Sequence, residues 1–161
     1  MTVSLREERP AGADDAFIKR LLLETISTQL GAGAWPEALR ETLLAQQCDI
    51  RLMSRRGAFP QGHGWIIQND GADAGWLFVA DSPDEIRIVE IVIAEAHSGQ
   101  GAGTDVIRGL LAEAEALGKP VRLSVNLLNT GAARLYPRLG FRRTGGDATQ
   151  DFLEWRSGGR K

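Results

Sequence analysis

The chain has 161 residues, of which 43% are hydrophobic and 25% are charged, and its formal net charge at pH 7 is −2. This length and composition predict one globular domain over residues 1–161, large enough to bury a sizeable core. The nearly balanced charge gives no long-range attraction to nucleic acid or to an anionic membrane, so neither is expected as a partner. Because the sequence has no apolar leader and no run of about 18 apolar residues, we expect a cytoplasmic protein.

The sequence offers little material for disulfides or metal sites. It contains one cysteine, Cys48, and two histidines, His63 and His97, which lie far apart in the chain. An internal disulfide needs two cysteines, and a zinc site needs several ligands at short spacings. The sequence therefore predicts neither a disulfide nor a metal site.

A strand and two helices are predicted in the first third of the chain. Residues 2–8 alternate apolar and polar side chains, which is typical of a strand. Residues 14–30 carry apolar side chains at helical spacing and are followed by glycines at 31 and 33, which predicts an amphipathic helix. Pro36 suits the first turn of a second helix. The apolar positions of that helix include Leu39, Leu43 and Ile50.

Six further strands and two further helices follow. Turn-forming residues at 69–73 and 81–85 divide the next apolar segment into three strands. A helical pattern at 104–117 precedes a strand at 121–126, and a short helix and a closing hairpin complete the chain. The predicted order is β-α-α-β-β-β-α-β-α-β-β, which indicates an α/β (α+β) domain with a mixed sheet and helices on both faces.

Three glycines, Gly99, Gly101 and Gly103, alternate between a strand pattern and a helix pattern. Glycines at such a junction let backbone amides point into one concavity, and the N-terminus of the helix adds a partial positive charge. The loop therefore suits a phosphate or pyrophosphate, although a tight turn without a ligand has the same spacing. A Walker A loop needs a lysine that this loop lacks, and a GxGxxG loop needs glycine where Thr104 stands. Neither a nucleoside triphosphate site nor a dinucleotide site is indicated.

Two segments around this loop resemble the acetyl-coenzyme A binding core of the GNAT superfamily of N-acetyltransferases. They are "EIVIAEAHSGQGAGTDVIRGLLAEA" at residues 90–114 and "NTGAARLYPRLGF" at residues 129–141. The matching positions are Glu90, Ile93, Gly99, Gly101, Gly103, Asn129, Ala132, Tyr136, Gly140 and Phe141. The resemblance implies a mostly antiparallel, twisted sheet and acetyl-coenzyme A as cosubstrate. The chain departs from the family pattern at Ser98, where arginine or glutamine is usual, and at Glu95, where proline is common.

The resemblance also implies where the cofactor binds. The strand at 90–94 splays from its neighbour at 121–126, and the pantetheine arm pairs with the backbone that the splay exposes. The pyrophosphate lies on the backbone amides of the glycine loop, and serine in place of arginine at position 98 predicts weaker binding. The implied cofactor-binding residues are Ile91, Val92, Ile93, Ser98, Gly99, Gln100, Gly101, Ala102, Gly103, Thr104, Asn129 and Ala132.

Glu90 and Tyr136 are the candidate catalytic residues. An amine must be neutral to attack a thioester, and Glu90, a carboxylate in an apolar strand, is the candidate base. Other interpretations of Glu90 are a solvent-facing position or an ion pair with Arg87 or Arg122. Tyr136, the only tyrosine in the chain, is the candidate acid that protonates the departing thiolate. The alternative for Tyr136 is an amphipathic core position.

No motif identifies the acceptor. Trp35, ahead of the second helix, and Asn126, at the end of a strand, are candidates for contacts with it. We expect a small-molecule amine or a protein or peptide amine, acetylated by direct transfer in a ternary complex. The alternative function is a noncatalytic sensor or scaffold that binds acyl-coenzyme A. The resemblance further implies a homodimer, with the strand "DFLEWR" at residues 151–156 as an exposed edge.

Overall fold

The computed structural model describes residues 1–158, so the last three residues of the predicted domain lie outside it. The described chain follows the predicted order of elements, with two short 3-10 helices added. Its strands are β1 (Val3–Glu7), β2 (His63–Asn69), β3 (Ala72–Asp81), β4 (Ile86–Ile93), β5 (Val121–Asn126), β6 (Arg142–Gly146) and β7 (Gln150–Trp155). Its α-helices are α1 (Asp15–Leu30), α2 (Glu37–Ala58), α3 (Ala102–Leu117) and α4 (Thr130–Arg138). None of the helices within residues 1–158 has both the length and the apolar composition needed to cross a lipid bilayer.

The strands form one sheet in the order β1-β2-β3-β4-β5-β7-β6. Strands β4 and β5 are parallel, and every other pair of neighbours is antiparallel. Successive residues of a strand point to opposite faces, so Ile66 belongs to the core with α1 and α2, whereas Ile67 belongs to the core with α3. The prediction of a mixed, mostly antiparallel sheet with helices on both faces is confirmed.

Helix α2 buries a different face from the one that carries its first apolar positions. Leu39, Leu43 and Ile50 are exposed. The residues that pack against α1 and the sheet are Leu44, Cys48 and Leu52. Both sets recur at helical spacing, so the pattern alone does not separate them, and the position of α1 decides which set is buried.

Strand β7 is an interior strand, because it pairs with β5 on one side and with β6 on the other. The expectation that residues 151–156 form an exposed edge is therefore wrong. The chain returns through the β6–β7 hairpin so that the later strand lies inside, and the edges of the described sheet are β1 and β6. A dimer that formed by strand pairing would use one of these two edges.

A β-bulge in β4 turns the second half of this strand over. The pairing of β3 with β4 shifts by one residue at Val89. Before the shift Ile88 packs in the core with α3, and after it Val92 packs in the core with α1 and α2. Glu90 is two residues from Val92 and shares its face, so the bulge directs the carboxylate towards α2.

Candidate active site

Strands β4 and β5 separate after a short parallel stretch, and a cavity of about 400 Å³ opens between them. Their pairing joins residues 86–88 to residues 121–123 and goes no further. Residues 89–91 of β4 and 124–126 of β5 then line the cavity together with side chains from α2 and α4. The splay therefore exposes strand backbone to a chamber in the middle of the sheet.

Glu90 lies on this chamber with only 7% of its surface exposed. Its Oε1 accepts a hydrogen bond from Nη2 of Arg51 at 2.5 Å, and its Oε2 accepts one from Nε of Arg55 at 2.9 Å. Neither alternative interpretation of Glu90 is correct, because the side chain is buried and its partners come from α2. Arg87 and Arg122 both bind Glu85 instead.

Tyr136 faces the same cavity from α4, where Pro137 follows it inside the helix. Its ring packs edge-on against Phe141, with 5.2 Å between the ring centroids. Burial, and to a smaller extent the negative charge of Glu90, raise the pKa of the Tyr136 hydroxyl to about 12. The phenol therefore keeps its proton throughout the physiological range and is available as a proton donor.

Two asparagines close the cavity at the junction of β5 and α4. The Oδ1 of Asn126 accepts a hydrogen bond from the backbone N–H of Leu128 at 2.9 Å. The Oδ1 of Asn129 caps α4 by accepting one from the N–H of Ala132 at 3.1 Å. Asn126, Asn129 and Ala132 all line the cavity. The caps fix the start of α4 and with it the position of Tyr136, two turns later.

The glycine loop serves two structural purposes. Gly99 and Gly101 have φ angles of 74° and 83°, in the left-handed region that favours glycine. Gly103 instead lies in the first turn of α3, where an added Cβ would stand 3.5 Å from Cγ1 of Ile93. Gly101 is the N-cap of α3 and provides no side-chain cap, so the first amides of α3 are free to bind an anion.

A second groove of about 430 Å³ runs from this loop along β4 to the start of α4. Residues 91–93, Ser98 and Asn129 line it. The Oγ of Ser98 donates a hydrogen bond to the carbonyl oxygen of Glu95 at 2.8 Å, within its own turn. The groove therefore leads from Ser98, just before the glycines, to Ile91 and Asn129, which also line the cavity that holds Glu90.

The loop is also fastened to β2, through a residue that sequence reasoning missed. The Nδ2 of Asn69, at the end of β2, donates a hydrogen bond to Oε1 of Gln100 at 2.8 Å. Asn69 is 5% exposed, so this contact is shielded from water. This bond holds the side chain of Gln100, a predicted cofactor-binding residue, against the sheet. It does not involve the backbone N–H of Gln100.

The model of the Acetyltransferase (GNAT) family matches residues 23–141, well over half of the chain. The chain belongs to the GNAT family. Among curated relatives, N-acetyltransferase 8 of Rattus norvegicus is 28% identical over 136 residues, which are 78% of this chain and 59% of that protein. Probable N-acetyltransferase family 8 member 5 of Mus musculus is 25% identical over 116 residues, 68% of this chain and 51% of that protein. The chain thus spans only part of the length of these relatives.

Solved structures share the GNAT fold over nearly the whole chain. The PaiA N-acetyltransferase from Thermoplasma acidophilum in complex with coenzyme A aligns with a TM-score of 0.72 at 14% identity, covering 98% of this chain and 100% of that chain. A GNAT family acetyltransferase from Elizabethkingia anophelis with acetyl-CoA bound aligns with a TM-score of 0.63 at 14% identity, covering 96% of this chain and 98% of that chain. At these identities the likeness establishes the fold.

The cavity and the groove are lined by these predicted residues: Glu90, Ile91, Val92, Ile93, Ser98, Asn126, Asn129, Ala132 and Tyr136. Trp35 and the loop residues 99–104 line neither of them. Trp35 packs against the core between α1, α2 and the sheet, and it is not among the residues that line the cavity. Arg51 and Arg55 line the cavity and were not predicted. Their spacing of four residues places both on one face of α2, which is the only signal that the sequence offers for them.

Proposed function

We propose that this GNAT protein transfers an acetyl group from acetyl-coenzyme A directly to the nitrogen of an amine in a ternary complex. The observation that carries the proposal is the convergence of Tyr136 and Glu90 on the cavity between the splayed strands. A proton donor and a carboxylate from opposite sides of one chamber are the two groups that amide formation from a thioester requires. The curated relatives are named N-acetyltransferases, which agrees with this activity.

Acetyl-coenzyme A supplies the reactive thioester and the thiol leaving group. The first amides of α3 and the loop at Gly99 to Thr104 suit its pyrophosphate, since no side chain caps the helix. The groove along residues 91–93 suits its pantetheine arm, because β4 has lost its pairing with β5 there. Asn129 and Ala132, at the start of α4, border this path. Ser98 brings no positive charge, so the affinity depends on backbone donors.

Tyr136 acts as the general acid in this proposal. When the bond between carbon and sulfur breaks, the sulfur takes the hydroxyl proton of Tyr136. A phenol with a pKa of about 12 is protonated before every turnover. Tyr136 lines the cavity, where its hydroxyl can reach the sulfur.

Glu90 acts as the base that prepares the acceptor. An aliphatic ammonium has a pKa near ~10 and must lose a proton before the nitrogen can attack. Each oxygen of Glu90 accepts one bond from an arginine and keeps a second lone pair for the ammonium or for a bridging water. After the carbon–nitrogen bond forms, the nitrogen releases its second proton, which restores Tyr136 through water.

A second candidate function is noncatalytic binding of acyl-coenzyme A, and two observations favour it. Both oxygens of Glu90 are engaged by arginines, and Ser98 replaces the usual arginine or glutamine. In that case the chain retains the cofactor groove but transfers no acetyl group.

Under the first function, acetyl transfer, the acceptor is a small-molecule amine or a protein or peptide amine, with Asn126 as a contact.

Thermal unfolding with and without acetyl-coenzyme A, with ADP and NAD as controls, tests the cofactor. Ligand at 100 times its dissociation constant adds about 2.7 kcal/mol, which raises the midpoint of a domain of this size by roughly 5 to 10 °C. Thiol release with added amines then separates the two functions. A shift without amine-dependent thiol release supports the noncatalytic function, and no shift at all contradicts both.

A further inference from the structure

The α2 side of the cavity carries more positive charge than the protein itself neutralises. Arg51 and Arg55 share one carboxylate, that of Glu90, which leaves one positive charge over. The Nε of Arg51 is buried and has no hydrogen-bond partner among residues 1–158. The two terminal nitrogens of Arg55 also lack a partner within that range. Only the Nε of Arg51 is a buried donor without a partner, which is costly, whereas the Arg55 side chain is 39% exposed and its terminal nitrogens remain open to a ligand. Together with the one positive charge left over, these donors favour an added anion.

The third cavity arginine does not contribute to this excess. The Nε of Arg87 binds Oε2 of Glu85 at 2.9 Å, and Glu85 in turn binds Arg122. The uncompensated charge therefore lies at α2. Glu90 is the single carboxylate among the described residues that line the cavity, and the uncompensated charge lies directly beside it.

Glu90 shows what kind of anion these donors accept. One carboxylate already spans Arg51 and Arg55, with one oxygen on each guanidinium. A planar guanidinium matches a carboxylate through parallel N–H donors. Arg55 keeps two terminal nitrogens for such a contact, whereas Nη1 of Arg51 also donates to Oε1 of Gln29 at 3.5 Å. A second carboxylate can thus bind to the remaining donors while Glu90 stays in place.

We infer that the acceptor is an α-amino acid, whose carboxylate binds the free donors of Arg51 and Arg55 and whose ammonium lies beside Glu90. This inference rests on the proposed acetyl transfer and names its acceptor class. In an α-amino acid the ammonium and the carboxylate are attached to the same carbon. The cavity presents the complementary pair, a carboxylate next to two guanidiniums. The product, an N-acetylamino acid, keeps the carboxylate and loses the positive charge.

The remaining walls indicate a place for the side chain of the acceptor. Phe59 follows Arg55 by one turn and lines the same cavity, as do Val89 and Ile91. These apolar surfaces favour an apolar side chain, so L-leucine is a suitable first probe. Two analogues lack the negative charge: L-leucinamide, which keeps the carbonyl group, and isopentylamine, which lacks the whole carboxyl group.

The first experiment compares kcat/KM for these three amines with the full chain and acetyl-coenzyme A. We expect leucine to exceed both analogues by about tenfold or more, the value of a charge-assisted contact. The same comparison is made with other L-amino acids and their amides, in case the protein prefers an acceptor with a different side chain. If no amino acid exceeds its amide while amines are still acetylated, the inference is wrong and the proposed function stands.

Variants assign the preference to a residue. Arg55→Gln is expected to lower kcat/KM for leucine about tenfold more than kcat/KM for leucinamide, because Arg55 also holds Glu90 and its loss affects both amines. Arg55→Lys keeps the charge and is expected to retain part of the preference, which a folding defect would not do. Arg20→Gln removes the same charge from the exposed surface of α1 and is the matched control. A preference that survives Arg55→Gln contradicts the role of Arg55.

A binding measurement tests the inference about the acceptor even if the protein acetylates none of these amines. Calorimetry with coenzyme A present compares N-acetyl-L-leucine with N-acetyl-L-leucinamide, and we expect measurable binding of the acid alone. The inference is overturned if acetyl-coenzyme A shifts the thermal unfolding midpoint but the two products bind equally or do not bind. Cofactor binding is then still supported. The absence of any acetyl-coenzyme A effect is the separate failure of the proposed function.

Discussion

Glu90 and Tyr136 face one cavity from β4 and α4, and the negative charge of Glu90 adds to the effect of burial on the pKa of the Tyr136 hydroxyl. The two residues are 46 positions apart in the sequence. Their coupling gives the site a signal that can be measured without knowledge of the acceptor, because the chain contains no other tyrosine.

Alkaline titration of the ultraviolet absorbance of tyrosinate reports Tyr136 alone. We expect a midpoint of about 12 in the folded protein and near ~10 in the denatured chain. Glu90→Gln removes a negative charge and leaves Arg51 and Arg55 unneutralised, so the midpoint falls but stays above the denatured value. Since the unfolded chain ionises first, the free energy of unfolding decreases between these two pH values. An unchanged midpoint in Glu90→Gln would show that the two groups do not interact.

Tyr136→Phe removes the hydroxyl and keeps the ring that packs against Phe141. We expect kcat for acetyl transfer to fall by about 100-fold, within the range for loss of a general acid, with little change in KM for acetyl-coenzyme A. The thermal unfolding midpoint is the control, and it should remain close to that of the wild type. Equal turnover would eliminate Tyr136 as the acid.

Glu90→Gln tests the base through the pH profile of kcat/KM. The expected loss is largest at neutral pH and shrinks as pH rises, because more of the acceptor amine is then already neutral. Glu85→Gln is the matched control, since it removes a carboxylate that binds Arg87 and Arg122 and leaves the contacts of Glu90 in place. A loss of the same size at every pH would mean that Glu90 only positions Arg51 and Arg55.

Gly101→Ala, at the residue that precedes α3, and Gly109→Ala, inside α3, form a matched pair of variants. Gly101 has a φ of 83°, so alanine there is strained, and we expect the free energy of unfolding to fall by about 1 to 2 kcal/mol, together with weaker binding of acetyl-coenzyme A. Gly109 lies inside α3, where an added Cβ meets no atom within 4 Å. Alanine at position 109 should raise the free energy of unfolding by about 0.5 to 1 kcal/mol. Equal stability of the two variants in urea would contradict the left-handed turn.

The sequence by itself determined the order of the elements and the position of the glycine loop. Both are local properties: helical and strand periodicity, glycines such as Gly118 that end a helix, and the motif at residues 98–104 are each contained in a short stretch of chain. Tyr136 was proposed for the same reason, since it occupies one position of a motif that spans α4.

Only the tertiary structure decided what Glu90 binds. A regular strand would place Glu90 on the face of Ile88, with α3, and the bulge at Val89 moves it to the face of α2. A bulge depends on the pairing of β3 with β4, and no local pattern in β4 encodes it. The arginines that meet Glu90 lie 35 and 39 residues away, on a helix whose buried face was itself decided by its packing against α1. The glycine loop is therefore set by local sequence, whereas the surroundings of Glu90 are set by contacts between distant segments.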